Sequence, residues 1–151
     1  MEKSKVKKKK AIKLKLERSG RVTVNESDVG YLVFETEKKR NKDHVLHCFR
    51  EDVNAVTMMR KIRMPKEFTF VWVDKLYVKQ SKRGKGYGAK ILKALERKYK
   101  NHTIVLGLSP GEMVKTSDIR RLIPFYESLG FKIVTSDVHH YGFKVIKRQS
   151  V

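Results

Sequence analysis

Apolar positions recur along this chain with two periods. Ala11-Ile-Lys-Leu-Lys-Leu16 alternates apolar and basic residues, the period-two pattern of a half-buried strand. A Ser19-Gly20 turn follows, then a second short strand over residues 21–24. Residues 30–36, rich in aromatic and branched side chains, predict a third strand. The charged run 37–43 reads as a hairpin loop, and residues 44–49 as its partner strand. Over residues 51–63, Val53, Val56, Met59 and Ile62 recur near a helical period and predict a helix. Phe68-Thr-Phe-Val-Trp-Val-Asp-Lys-Leu-Tyr-Val78 is a long, largely apolar strand, and its continuity predicts a central position covered on both faces. Residues 86–100 form a helix whose buried stripe is Ile91, Leu92, Leu95 and Tyr99. A strand at 103–108 and a loop at 109–116 lead to a helix capped by Ser117 or Asp118 and running to Leu129. Pro124 predicts a kink or a fresh start within it. Residues 131–134 and 141–146 close the chain as an antiparallel pair. Residues 11–151 read as one domain. The arm before it, 1–10, is dense in lysine and is expected to be disordered.

Chemistry enters between the long strand and the helix after it. Lys82-Arg-Gly-Lys-Gly-Tyr-Gly-Ala89 places glycines at 84, 86 and 88 with Arg83 before them and Lys85 between. Glycine admits positive φ and lets a ligand approach the backbone. A turn that opens a helix leaves several N–H groups unpaired at the positive end of the helix dipole. Together these features describe an anion cradle suited to a pyrophosphate. The pattern is not a Walker loop, since no Gly-Lys-Ser/Thr follows four free positions. It is not a dinucleotide fingerprint either: the third glycine is misplaced and no repeating strand–helix units surround it.

Downstream, Pro124-Phe-Tyr-Glu-Ser-Leu-Gly-Phe-Lys-Ile-Val134 is a helix end running into a strand, with Gly130 as its C′ residue. Arg83-x-x-Gly86-x-Gly88 followed by Phe-Tyr-Glu-x-x-Gly-Phe resembles the GNAT family of acyl-CoA N-acyltransferases. The resemblance covers residues 69–145. It implies an α/β (α+β) fold: a mixed, mostly antiparallel central sheet with a V-shaped splay between two parallel strands, flanked by helices. It also implies acetyl-CoA as cofactor. The pyrophosphate would lie on Arg83, Gly84, Lys85, Gly86, Tyr87, Gly88 and Ala89. The main chains of Leu76, Tyr77 and Val78 would meet the pantetheine and the thioester carbonyl. Tyr126 falls where the family keeps a tyrosine near the sulfur as general acid, and a tyrosine in reach of sulfur can supply that proton. Packing between helix and sheet is the other role open to it. For a general base, Asp74 lies near where relatives keep an acidic residue; Glu112, His139 and His140 remain open, as does an acceptor that needs no base. Two departures stand out. The usual pair of helices between the first two strands is missing, with only 51–63 reading as a helix before the glycine turn. Ile119 stands where relatives often carry asparagine.

Composition changes the picture in one respect. The chain has 151 residues, enough for one domain with a real core. Thirty-six Lys+Arg against sixteen Asp+Glu leave a net charge of +20, a field that attracts polyanions. The acceptor amine is therefore expected on an acidic macromolecule: aminoacyl-tRNA, nucleic acid, or a nucleic-acid-associated protein. Small polycationic amines fit poorly, because their sites need carboxylates. The alternative function is a non-catalytic nucleic-acid-binding protein that keeps the fold. No apolar run approaches a membrane span, and no secretory leader is visible. A single cysteine, Cys48, fits a reducing compartment, and the expected location is cytoplasmic. Cys48 is expected to be a buried structural thiol, without a partner base or a zinc-ligand set. The oligomeric state is expected to be monomer or homodimer.

Overall fold

The computed structural model describes residues 13–109, 119–135 and 139–148. Seven strands form one sheet in the order β1-β2-β3-β4-β5-β7-β6. They are β1 (Leu14–Leu16), β2 (Arg21–Val24), β3 (Ser27–Arg40), β4 (Phe68–Val78), β5 (Ile104–Leu108), β6 (Lys132–Thr135) and β7 (His140–Ile146). All neighbours are antiparallel except β4 and β5, which run parallel. The α/β architecture and the single parallel pair agree with the expected fold class. Helices are α1 (Lys42–Cys48), α2 (Val53–Met59), α3 (Tyr87–Lys98) and α4 (Ile119–Ser128).

The sheet separates two cores. Val71 and Val73 of β4, with Ile104, Leu106 and Leu108 of β5, meet Ile91, Leu92 and Leu95 of α3 and Tyr126 of α4. The opposite face carries Phe68, Phe70 and Val105 against Val45 of α1 and Ala55 and Met59 of α2. This lower half of β4 is covered on both faces, as its unbroken apolar run predicts.

Residues 44–49 are not a strand. They lie in α1, which starts where the Asn41 side chain accepts from the His44 amide at 3.0 Å. A short apolar run suits either element, and the cap decides. The predicted hairpin loop at 37–43 is likewise absent. β3 runs on to Arg40, held by pairing with Phe68 and Phe70 of β4. β3 also begins earlier than expected, because Asn25 and Glu26, both at positive φ, turn β2 directly into it. The predicted helix 51–63 is shorter, α2, capped by Asp52. Two helices therefore precede the glycine turn rather than one. They lie between β3 and β4, while β1 and β2 are joined by a turn. Lys42 ties the pair together, donating to the Arg60 and Ile62 carbonyls at 2.6 and 2.7 Å. The helix α4 runs through Pro124 without a fresh start. The arm 1–10, the predicted caps Ser117 and Asp118, and Glu112 lie outside the described residues.

Candidate active site

The parallel register runs from Thr69 opposite Ile104 to Val73 opposite Leu108, where β5 ends. β4 continues for five more residues, Asp74 to Val78, paired only with β3. Main-chain groups of an interior strand are shared between two neighbours. Past Val73, those on the β5 side of β4 have no strand partner among the described residues. Asp74 marks where this opening begins. Val73 lies opposite Phe34 and Lys75 opposite Val33, so Asp74 is an extra residue, a β-bulge that bends the strand.

The opening leads into a cleft of about 440 Å³ lined by Lys75, Leu76, Tyr77, Val78, Lys82, Arg83, Gly84, Gly86, Tyr87, Gly88, Leu122, Phe125 and Tyr126. One wall is the end of β4. The floor is the turn into α3, and α4 closes the far side.

The turn has the conformation the glycines were expected to permit. Gly84 and Gly86 sit at φ +77° and +79°, and a Cβ on either would point into open space. Gly86 caps α3 without a side-chain hydrogen bond, and no acidic residue occupies the first turn. The first amides of α3 are therefore free of side-chain caps at the positive end of a twelve-residue helix. Gly88 faces α4, where a Cβ would make ordinary van der Waals contact with the Phe125 ring at 3.5 Å. Arg83 does not reach outward. Its Nε donates to the Val78 carbonyl at 2.9 Å, and its guanidinium lies over the Tyr77 ring.

Tyr126 reaches the cleft from the buried face of α4 and is only 2% exposed. The local sequence holds it there. Gly130, at φ +96°, donates to the Glu127 carbonyl, and the Phe131 amide donates to the carbonyl of Tyr126 itself. This pair of bonds is the Schellman closure. The Phe131 ring also packs edge-on against Tyr126 at 5.8 Å. Burial pushes the Tyr126 hydroxyl up to about 12.

Among the residues singled out from sequence, the cleft thus gathers Tyr126, Leu76, Tyr77, Val78, Arg83, Gly84, Gly86, Tyr87 and Gly88. Lys85, Ala89 and Asp74 are not in its lining. Asp74 is half-buried on β4. His139 is exposed and His140 half-buried, its carbonyl accepting from Ser109 Oγ at 3.4 Å. Sequence reading missed Lys75, Lys82, Leu122 and Phe125. Leu122 was within reach of it, since it shares a helical face with Tyr126 at i−4 and with Phe125 at i−3.

Cys48 is exposed rather than buried, because α1 turns its last residues to the surface. Its Sγ lies 3.6 Å from His44 Nε2, and the same nitrogen lies 3.2 Å from Glu37. Both contacts use one nitrogen, so His44 cannot relay a proton between them. Desolvation, then Glu37, raises the Cys48 pKa, which keeps it a thiol. Among the described residues, no cluster of His, Cys, Asp or Glu is placed to hold a metal ion, and no helix is long and apolar enough to cross a membrane.

The end of β4 that outruns its parallel neighbour, opening onto a glycine turn at a helix N-terminus, frames this α/β site. The acetyltransferase (GNAT) domain model matches residues 23–133, and the chain belongs to that family. No match was found among curated proteins. Among solved structures, the chain is similar to Arabidopsis thaliana NAA60 in complex with a bisubstrate analogue. Identity is 13%, covering 81% of this chain and 67% of that one, with a TM-score of 0.48. It is similar to AtaT complexed with acetyl-methionyl-tRNAfMet at 16% identity, covering 83% and 68%, with a TM-score of 0.47. An N-acetyltransferase from Staphylococcus aureus Mu50 matches at 12% identity over 83% and 68%, with a TM-score of 0.43.

Proposed function

We propose that this protein is an acetyl-CoA-dependent N-acetyltransferase acting on an amine carried by an acidic macromolecule, such as aminoacyl-tRNA, nucleic acid or a nucleic-acid-associated protein. The observation that carries the reading is one cleft holding three things: a splayed strand end, a glycine turn at a helix N-terminus, and a buried tyrosine. The residues present fit the coenzyme. Gly84 and Gly86 leave space above uncapped amides where a pyrophosphate would rest. Lys82 and Lys85 add positive charge beside it. When bound, acetyl-CoA supplies an activated acyl group as a thioester.

The chain's own groups do the rest. The main-chain amides of Leu76 and Val78, on the side of β4 away from β3, orient and polarise a carbonyl laid along the gap, while Tyr77 keeps its amide in the ladder with Tyr31. Tyr126 holds its proton throughout the neutral range. The desolvation that raises Tyr126 also raises a thiolate leaving in the same cleft, so the hydroxyl serves as the proton donor to the departing sulfur. Asp74, at the bulge where the gap opens, is assigned to accept the proton from the acceptor amine. Among the described residues, the cleft lining contains Lys75, Lys82 and Arg83 and no carboxylate, which favours an acceptor on a polyanion over a small polycation.

Acetyl-CoA is expected to raise the melting temperature of the wild-type protein by mass action. Gly86→Asp should abolish that gain, since its carboxylate would point into the open space above the turn. Comparing each variant with and without ligand cancels any strain at φ +79°. No shift in wild type at millimolar acetyl-CoA and low salt would defeat the cofactor assignment and leave a non-catalytic nucleic-acid binder as the better reading.

A further inference from the structure

The face of the sheet that carries α1 and α2 continues beyond them. The core beneath those helices ends on β4 at Trp72. Farther along, Leu32 of β3 pairs with Leu76 of β4, and both point to the α3 side. Their neighbours Tyr31, Val33, Lys75 and Tyr77 therefore point the other way. Tyr31 lies opposite Tyr77, and their rings stack with centroids 5.0 Å apart and planes 29° apart. Neither ring is buried, and Val33 beside them is 45% exposed, high for a valine in an interior strand. Cations lie over the rings. The Lys75 ammonium lies 5.5 Å from the Tyr31 centroid, and the Arg83 guanidinium lies 5.6 Å from that of Tyr77. Arg21, opposite Tyr31, is already neutralised by Asp28.

We infer that this pair is a stacking platform for unpaired bases of a single-stranded nucleic acid. A base stacks here by taking the place of the flexible Lys75 ammonium over the Tyr31 ring, and the displaced ammonium then meets the neighbouring phosphate. The occupant follows from charge complementarity. A chain of net charge +20 repels cationic partners, and an acidic protein would use the cations without needing the rings. Lys75, Tyr77 and Arg83 also line the cleft, so a strand stacked here lies beside the gap. The inference rests on the proposed acyl transfer for its purpose, but its binding test does not depend on that reading.

Tyr31 is outside the cleft lining and is the residue to change. The test is fluorescence anisotropy with three probes: a short labelled single-stranded RNA, a blunt RNA duplex of the same length, and oligo-glutamate. Tyr31→Ala should weaken single-strand binding roughly 5- to 100-fold, while Tyr31→Phe stays near wild type. Duplex affinity and its salt slope should not change. Unchanged single-strand affinity in Tyr31→Ala would overturn the platform. So would an equal loss on the duplex, or tighter binding of oligo-glutamate than of RNA, which would point to an acidic protein instead. A retained acetyl-CoA thermal shift shows that the variant folds. Should it not fold, photo-cross-linking of 4-thiouridine RNA to wild type decides: cross-links at Tyr31 or Tyr77 are expected, and cross-links only elsewhere refute the proposal. Absence of the acetyl-CoA shift in wild type would defeat the cleft reading alone. A silent Tyr31→Ala with that shift intact defeats the platform alone.

Discussion

Burial at Tyr126 has two measurable consequences. The first concerns stability. The hydroxyl titrates near 12 when folded, against an ordinary value of 10.0. Its folded pKa is raised, so the folded state holds the proton more tightly. The contribution to stability is complete below pH 10 and is lost as pH rises toward 12. Wild type should therefore lose roughly 3 kcal/mol more than Tyr126→Phe across that window, read by denaturant midpoints at each pH. Equal losses would mean that the hydroxyl titrates normally. The second consequence is catalytic. Tyr126→Phe should keep acetyl-CoA binding but slow single turnover by roughly 100- to 10,000-fold if the hydroxyl serves the leaving group. Turnover at the wild-type rate would make it a packing residue. Asp74→Asn separates the two roles. If Asp74 accepts the amine proton, that variant should regain rate at higher pH, where more of the amine is already neutral. Tyr126→Phe should not.

At the scale of elements, the closure of α4 holds the tyrosine in place. Gly130 stands at φ +96°, and an added Cβ would meet the Lys144 side chain at 3.2 Å. Gly130→Ala is expected to cost about 1 to 2 kcal/mol, from the left-handed conformation. The denaturant midpoint should fall with its slope unchanged. Because the closure bonds to the Tyr126 carbonyl, turnover should drop more than acetyl-CoA affinity, which depends on the α3 turn. Equal effects on both would show that α4 does not position Tyr126 separately from the turn.

The whole molecule is governed by its charge. Each phosphate neutralised by a lysine or arginine releases counterion, so nucleic-acid binding should be steeply salt-dependent. Deleting residues 1–10 should weaken binding of tRNA and duplex DNA more at about 50 mM than at about 300 mM salt. Acetyl-CoA affinity should stay nearly constant, since the cradle lies at residues 82–88. Salt-titrated anisotropy measures both. Weak, salt-insensitive binding to either nucleic acid would leave the +20 charge to an acidic protein acceptor.

Local chemistry made much of this molecule legible from sequence. The glycine turn, the C-terminal closure of α4 and the long strand β4 each depend on residue types within one element. Glycine adopts φ +77°, +79° and +96° at least cost, and an unbroken apolar run demands cover on both faces. The Gly86–Gly88 and Phe-Tyr-Glu-x-x-Gly-Phe motifs pointed to the GNAT family for the same reason. Residues 44–49 went wrong because a short apolar run fits helix and strand alike, and the Asn41 cap decided between them. The length of β3 was hidden because its charged end is held by pairing with β4, a contact made across the helix pair in sequence. The strand ends at Leu108 and Val78 are legible in sequence, and the family resemblance implies a gap between them. Tertiary structure alone set the register that carries β4 past β5, placed a bulge at Asp74, and brought α4 over the α3 turn. It alone stacked Tyr31 on Tyr77, because a register between distant strands is set by which faces find a core, not by any spacing along the chain.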